Sequence, residues 1–208
     1  MPYIKNISEF YDQNVSEYFK NTIELRDQYW LNNFANCLTV GVKVGDMGCG
    51  FGRDCKFFVE KNFKVYGADI SKNMIKEAKK YEPKAKYGIM NILELKYSDQ
   101  YFDGVWCSAV LYHLKKSDIQ KALSELRRIL KDNGIIFLSF KEGKGQRVIK
   151  DERYNKAKRL ITYYTEGQVK KMLSQNNFKL IDFEIEVESK IKYKNNGIIF
   201  LLARKLKE

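Results

Sequence analysis

The stretch Val44-Gly45-Asp46-Met47-Gly48-Cys49-Gly50-Phe51-Gly52-Arg53-Asp54 puts a carboxylate at the end of an apolar run and then a glycine at every second position. Glycine lets a backbone turn tightly and lets a ligand come close. A strand that enters such a turn and leaves it as a helix is a nucleotide-cofactor site. The neighbours decide which cofactor. The dinucleotide fingerprint G-x-G-x-x-G is not met, because Arg53 stands where the third glycine should be, and the phosphate loop G-x-x-x-x-G-K-[ST] is absent. Asp46, two residues before the first loop glycine, would repel a pyrophosphate. It suits a ligand without phosphates that carries positive groups, and S-adenosylmethionine, with a sulfonium and an ammonium, is one.

Asp69 closes the next apolar run, FKVYGADI, 23 residues after Asp46. An acid there can accept hydrogen bonds from both hydroxyls of a ribose, or it caps the helix that Ser71 begins. Taken together, Asp46-x-Gly48-x-Gly50-x-Gly52 resembles motif I of the class I S-adenosylmethionine-dependent methyltransferases, in small domains of the type 11/25 kind. That resemblance implies a cofactor site made of Tyr11, Asp46, Gly48, Gly50, Asp69, Ile70, Asn91, Ile92 and Ser108, with Ile70 on the adenine face. Asn91 stands where the family usually has an acid, so it is either an adenine partner or a plain turn residue. Arg53, just past the glycine loop, can pair with the cofactor carboxylate or lie solvated at a helix start.

The segment Tyr101-Phe102-Asp103-Gly104-Val105-Trp106-Cys107-Ser108-Ala109-Val110-Leu111-Tyr112-His113-Leu114 resembles motif IV and the stretch after it, which implies that Ser108 lies near the cofactor and Tyr112 and His113 near the pocket. His113 is the chain's one histidine, the side chain type that titrates near neutrality. It is the candidate catalytic base, or else it packs at a helix start and orients a backbone group. The segment lacks the Asp/Asn-Pro-Pro-Tyr/Phe of many amino-methylating enzymes and has no Pro-Cys nucleophile. Tyr11-Asp12 and Tyr18 resemble the family pattern that closes over the cofactor. Tyr163 and Tyr164, ahead of a helix capped by Thr165, line an acceptor pocket or belong to the core.

These residues need a scaffold, and the chain supplies a regular one. With 208 residues, 44% hydrophobic and 14% aromatic, it is long enough for one domain with a sizeable core. Apolar spacing predicts helix over 8–36, with Ser8 as N-cap, and then strands and helices in alternation. Strands are expected at 40–46, 63–70, 85–89, 102–108, 135–140, 178–187 and 197–203. Helices are expected at 53–61, from Ser71, over 116–131 and from Thr165 to about Gln175. That alternation reads as an α/β Rossmann-like three-layer sandwich, a mostly parallel seven-stranded sheet with an antiparallel C-terminal strand pair. The expected organisation is a single methyltransferase domain over 1–208, a helical segment 1–38 preceding a core 39–208.

Composition narrows the partners. No apolar run reaches a membrane span and no signal-peptide core is seen, so a cytoplasmic protein without a membrane partner is expected. The four cysteines show no metal-ligand spacing, so no metal is expected. The net charge of +12 reads as lysine-rich solvated surface or as a nucleic-acid footprint. It concentrates in Lys141–Arg159, where eight cationic residues face three acidic ones. The resulting function is methyl transfer from S-adenosylmethionine, with S-adenosylhomocysteine as product, to O or N of a small molecule. The alternative is a tRNA-modifying methyltransferase of the wobble-uridine carboxymethyl type, and a third reading is a non-catalytic partner subunit.

Overall fold

The computed structural model describes residues 2–25, 27–154, 157–186 and 197–207. The N-terminal region is three helices rather than one: α1 (Pro2–Gln13), α2 (Val15–Thr22) and α3 (Gln28–Asn36). Ser8 therefore lies inside α1 rather than at its N-cap. The breaks fall where short polar side chains compete for backbone groups. Asn14 leaves helical geometry at φ −117°, and Asp27 caps α3 by accepting from Trp30 N at 3.3 Å.

After α3 the chain alternates as the apolar runs predict: β1 (Lys43–Met47), α4 (Arg53–Glu60), β2 (Lys64–Asp69), α5 (Lys72–Tyr81), β3 (Lys86–Ile89), β4 (Phe102–Cys107), α6 (Ile119–Ile129) and β5 (Leu130–Glu142). Ser71 caps α5, accepting from Met74 N at 3.1 Å. Helix α6 ends earlier than its apolar pattern suggests. Leu130 is already extended, at φ −86° and ψ 133°, because it pairs with Phe102 of β4. Asn133 then turns the chain at φ +63° inside the strand.

The basic stretch holds what sequence pattern did not foresee, a hairpin of β6 (Gln146–Asp151) on β7 (Ala157–Tyr164). Its outer strand is polar and exposed, so no apolar alternation announces it. Lys156 of that stretch lies outside the described residues. The chain continues with α7 (Glu166–Gln175) and the antiparallel pair β8 (Phe178–Glu186) and β9 (Ile198–Lys205). Val187 and the expected loop 188–196 are outside the described residues.

Among the described residues one nine-stranded sheet forms, in the order β3-β2-β1-β4-β5, with β9 antiparallel on β5 and β7 parallel to its last residues. The seven expected strands and the antiparallel C-terminal pair are present; the hairpin adds two. Both faces are covered, and β5 shows it residue by residue. Ile136, Leu138 and Phe140 pack with α6 and α7 on one side, while Ile135 and Phe137 pack with α3 and α4 on the other. A strand buried on both faces reads as a continuous apolar run, as Ile135 to Leu138 does. Trp106 of β4 stacks on Phe137 at 3.7 Å between ring centroids.

The strand order reverses direction between β1 and β4. In open α/β sheets such a switch point opens a crevice beyond the carboxyl ends of the strands, and ligands bind there. Here β1 runs into the glycine loop and β4 into Ser108. None of the described helices is long and apolar enough to cross a membrane.

Candidate functional site

A cleft of about 800 Å³ opens at that switch point. Among its walls are Tyr11, Gly48, Gly50, Asp69, Ile70, Asn91, Ile92, Ser108 and His113. It thus gathers every residue expected at the site except Asp46 and Arg53. Glycine is required at Gly48 for two reasons. Its φ is +89°, and a Cβ there would stand 2.0 Å from Val110 Cγ2. The loop is pinned by Asp69, whose Oδ2 accepts from Gly50 N and whose Oδ1 accepts from Ser71 N, each at 2.9 Å. Burial raises the Asp69 carboxyl above the usual carboxylate range.

Among the described residues lining this cleft there is a carboxylate and neither lysine nor arginine. Ile70, Met90, Ile92 and Leu95 give it an apolar wall suited to a flat ring. Asn91 Oδ1 already accepts from Leu93 N at 3.0 Å. That uses one of the two lone pairs of Oδ1, so Asn91 can offer a ligand the second lone pair and its amide donor.

Asp46 and Arg53 lie in a smaller recess behind the glycine loop, shared with Asp54 and Ser108. Asp46 is buried and accepts from the Cys55 thiol at 3.3 Å. Burial, with help from the nearby Asp54 carboxylate, pushes its carboxyl well above the usual range. Arg53 is otherwise engaged than a cofactor-carboxylate role would require. Its Nε and Nη2 donate to Asp54 at 2.7 and 3.1 Å. Its Nη1 donates to the carbonyls of Thr22 and Leu25, at 3.1 and 2.6 Å, where α2 ends. A cation at a helix C-terminus complements the helix dipole. Asp54 also accepts from Trp106 Nε1 at 3.1 Å. Sequence reasoning passed over Asp54; a buried Trp in need of an acceptor was the signal available.

Helix α1 closes the cleft through two adjacent residues. Asp12 Oδ1 accepts from Ser71 Oγ at 2.6 Å and from Asn73 N at 2.9 Å, at the start of α5. Tyr11 reaches the other side, where its hydroxyl meets His113 Nε2 at 2.9 Å. His113 Nδ1 lies 3.2 Å from the Leu160 carbonyl. A carbonyl can only accept, so Nδ1 carries the proton and Nε2 accepts from Tyr11. Burial, then the Arg159 charge, lowers the His113 pKa to about 3. The ring is neutral at physiological pH and its acceptor nitrogen is occupied, which matches its orienting role more closely than that of a free base.

Beyond Ser108 a larger cavity of about 1620 Å³ adjoins the cleft, sharing Tyr11, Tyr18, Ser108 and Ala109 with it. Ala109 has φ +60° and donates its N–H to Ser139 Oγ at 2.7 Å. A non-glycine residue held at positive φ is strain of the kind that gathers at ligand sites. The hairpin forms one wall of this cavity, with Lys150, Asp151, Glu152, Arg153, Tyr154 and Arg159, and Lys141 of β5 adjoins it. Tyr112 and Tyr163 line it as well, whereas Tyr164 packs on Phe140 in the core. No group of three or more metal-ligating side chains occurs among the described residues.

Comparison with known proteins agrees with this geometry. Residues 45–138 match a family described as a methyltransferase domain. An uncharacterised protein of Methanocaldococcus jannaschii is 35% identical over 168 residues, 73% of this chain and 67% of that one. The malonyl-[acyl-carrier protein] O-methyltransferase of Salmonella typhimurium is 28% identical over 93 residues, 45% of this chain but only 36% of that enzyme's length. In structure, the chain resembles the Burkholderia thailandensis 1,6-didemethyltoxoflavin-N1-methyltransferase, solved with 1,6-didemethyltoxoflavin and S-adenosylhomocysteine. The TM-score is 0.73 and the identity 20%, over 99% of this chain and 90% of that one.

The site carries two expectations. Gly48→Ala forces a methyl group into Val110 and strains a left-handed backbone. It should lower stability by about 1–3 kcal/mol in urea unfolding, and Gly48→Ala with Val110→Ala should recover part of that loss. A double variant no more stable than the single one would show that the contact with Val110 is not the cause. The His113 pKa of about 3 lies below its ordinary value of 6.5, so the stabilisation of the neutral ring is complete above pH 6.5 and lost as pH falls toward 3. Wild type minus His113→Asn should change by up to about 1.4 kcal/mol per pH unit across that window, and a flat difference would contradict the buried neutral ring.

Proposed function

We propose, from the premise that the chain belongs to the class I S-adenosylmethionine-dependent methyltransferases, that it transfers a methyl group to an oxygen or nitrogen of a small-molecule acceptor. The observation that carries this reading is the pinned loop. Asp69 faces the cleft while holding Gly50, directly beyond the carboxyl ends of β1 and β2. The cleft fits the cofactor on its own chemistry. A carboxylate suits ribose hydroxyls, an apolar wall suits adenine, and the lack of lysine and arginine among its described lining residues suits a ligand with positive groups and no phosphates.

When bound, S-adenosylmethionine supplies an electrophilic methyl group on a sulfonium. The chain's own contribution is to orient and to exclude water. Tyr11 and Asp12 fasten α1 across the cleft, Ile70 and Ile92 would hold the adenine ring, and Ser108 and Ala109 form the passage to the larger cavity. His113 positions Tyr11. Because its ring is a weak, occupied base, the acceptor reaches the site deprotonated or loses its proton to water. The similar proteins include both an O- and an N-methyltransferase, which leaves both acceptor atoms in the proposal. The four unpaired cysteines suit a reducing compartment such as the cytoplasm.

Asp69→Ala should abolish S-adenosylmethionine binding in calorimetry while the fold persists by circular dichroism; unchanged affinity would sink the ribose role. A tRNA acceptor is the second reading, carried by the exposed Lys144, Arg147, Lys150 and Lys158 of the hairpin. An RNA complex held by those cations would weaken steeply with salt through counterion release. The small-molecule reading expects no binding of bulk tRNA in low salt, and binding that falls steeply with added salt would favour the second reading instead.

A further inference from the structure

The hairpin wall of the larger cavity holds a buried charge that is only partly balanced. Arg159 of β7 has a side chain only 10% exposed. One end of its guanidinium donates to Asp151 Oδ2, and Nη1 makes a long 3.4 Å contact to the Tyr11 hydroxyl. Aromatic rings cover it, with the Phe10 and Tyr154 centroids 5.5 and 5.8 Å from Cζ. Its Nε is buried and has no hydrogen-bond partner among the described residues. Asp151 is not Arg159's alone. The same carboxylate takes Arg153 Nε at 2.9 Å and Nη2 at 2.8 Å. Arg159 therefore has only a share of one carboxylate.

Burying a charge without its full counter-charge is costly, and an unmade hydrogen bond at a buried donor adds to the cost. A bound anion beside the guanidinium would supply the missing counter-charge. The position is suitable, because Arg159 lines the cavity that meets the cofactor cleft at Tyr11, Tyr18, Ser108 and Ala109. What Arg159 lacks is less than one full charge, which matches a monoanion better than a phosphate dianion. A planar guanidinium with an open donor suits a carboxylate. The neighbouring Tyr18, Tyr154, Tyr163, Ile161 and Phe200 offer an apolar and aromatic bed for the rest of the molecule.

We propose that the methyl acceptor is a small carboxylic acid whose carboxylate docks on Arg159, with its apolar body on the aromatic bed of the larger cavity. This rests on the methyltransferase reading and names the acceptor class within it. The cofactor cleft carries a carboxylate and the acceptor cavity an under-compensated cation, so the two ligands are sorted by charge before any shape is read. Arg159 acts as a specificity-determining residue.

The test uses the full chain saturated with S-adenosylhomocysteine and titrated with benzoate, phenylacetate, their primary amides and phenyl phosphate, read by calorimetry. The acids should bind at least tenfold more tightly than the amides and than phenyl phosphate. Arg159→Gln leaves Asp151 paired with Arg153. It should cost the acids tenfold or more while S-adenosylhomocysteine affinity stays within twofold, and Arg159→Lys should restore part of the loss. Amides binding as well as acids, phenyl phosphate binding best, or acids indifferent to Arg159→Gln would each overturn the assignment. Should Arg159→Gln fail to fold, the comparison of acids with amides on the wild type decides alone. Absence of S-adenosylhomocysteine binding by the wild type would strike the methyltransferase reading instead, so the two failures are told apart.

Discussion

The Asp69 carboxylate is the constraint on which the site depends. It ends β2, yet its two oxygens are held by the amides of Gly50 and Ser71, one in the glycine loop and the other at the start of α5. Three segments are thereby fixed around one half-buried acid. Gly48 and Cys49 reinforce the arrangement, since both amides donate to the Ala68 carbonyl, at 2.6 and 3.0 Å. The loop is held by β2 rather than by β1, from which it emerges. Parallel pairing of β1 with β2, Asp46 opposite Gly67 and Met47 opposite Ala68, brings the two within reach.

Around that fixed point the molecule separates its charges. Behind the loop, Asp54 gathers Arg53 and Trp106 into a neutral buried network that also ties down the end of α2. Asp46 next to it is shielded from solvent, and burial holds its carboxyl well above the usual range. In front lies a cleft whose described lining carries a carboxylate without lysine or arginine, and beyond it a cavity with two arginines on a single aspartate. Within that frame, Tyr11 is the one described side chain that bonds both to His113 of the cleft and to Arg159 of the cavity.

Much of the site was legible in the residues. The glycine loop, Asp69, Ile70, Asn91, Ile92, Ser108 and Tyr11 meet in the same cleft, because strand ends in a parallel sheet collect on one edge and motifs at strand ends collect with them. Legibility stopped at two kinds of residue. Arg53 and His113 are polar side chains whose partners lie far away in sequence: Thr22 and Leu25 for one, Tyr11 and Leu160 for the other. No local pattern announces such partners. The hairpin was missed for a related reason, since β6 exposes most of its side chains and is held in place by backbone pairing with β7.

The sequence by itself determined the strand and helix alternation, the switch-point cleft and the kind of ligand its loop can take. Those depend on local periodicity, on glycine's access to positive φ and on the acid that ends β2, Asp69. Only the tertiary structure decided the protonation of the lone histidine, the employment of Arg53 inside the fold and the meeting of Arg153 and Arg159 on Asp151. Each of these is set by burial and by which groups come together across the sheet, and desolvation is a property of the assembled core rather than of any stretch of chain.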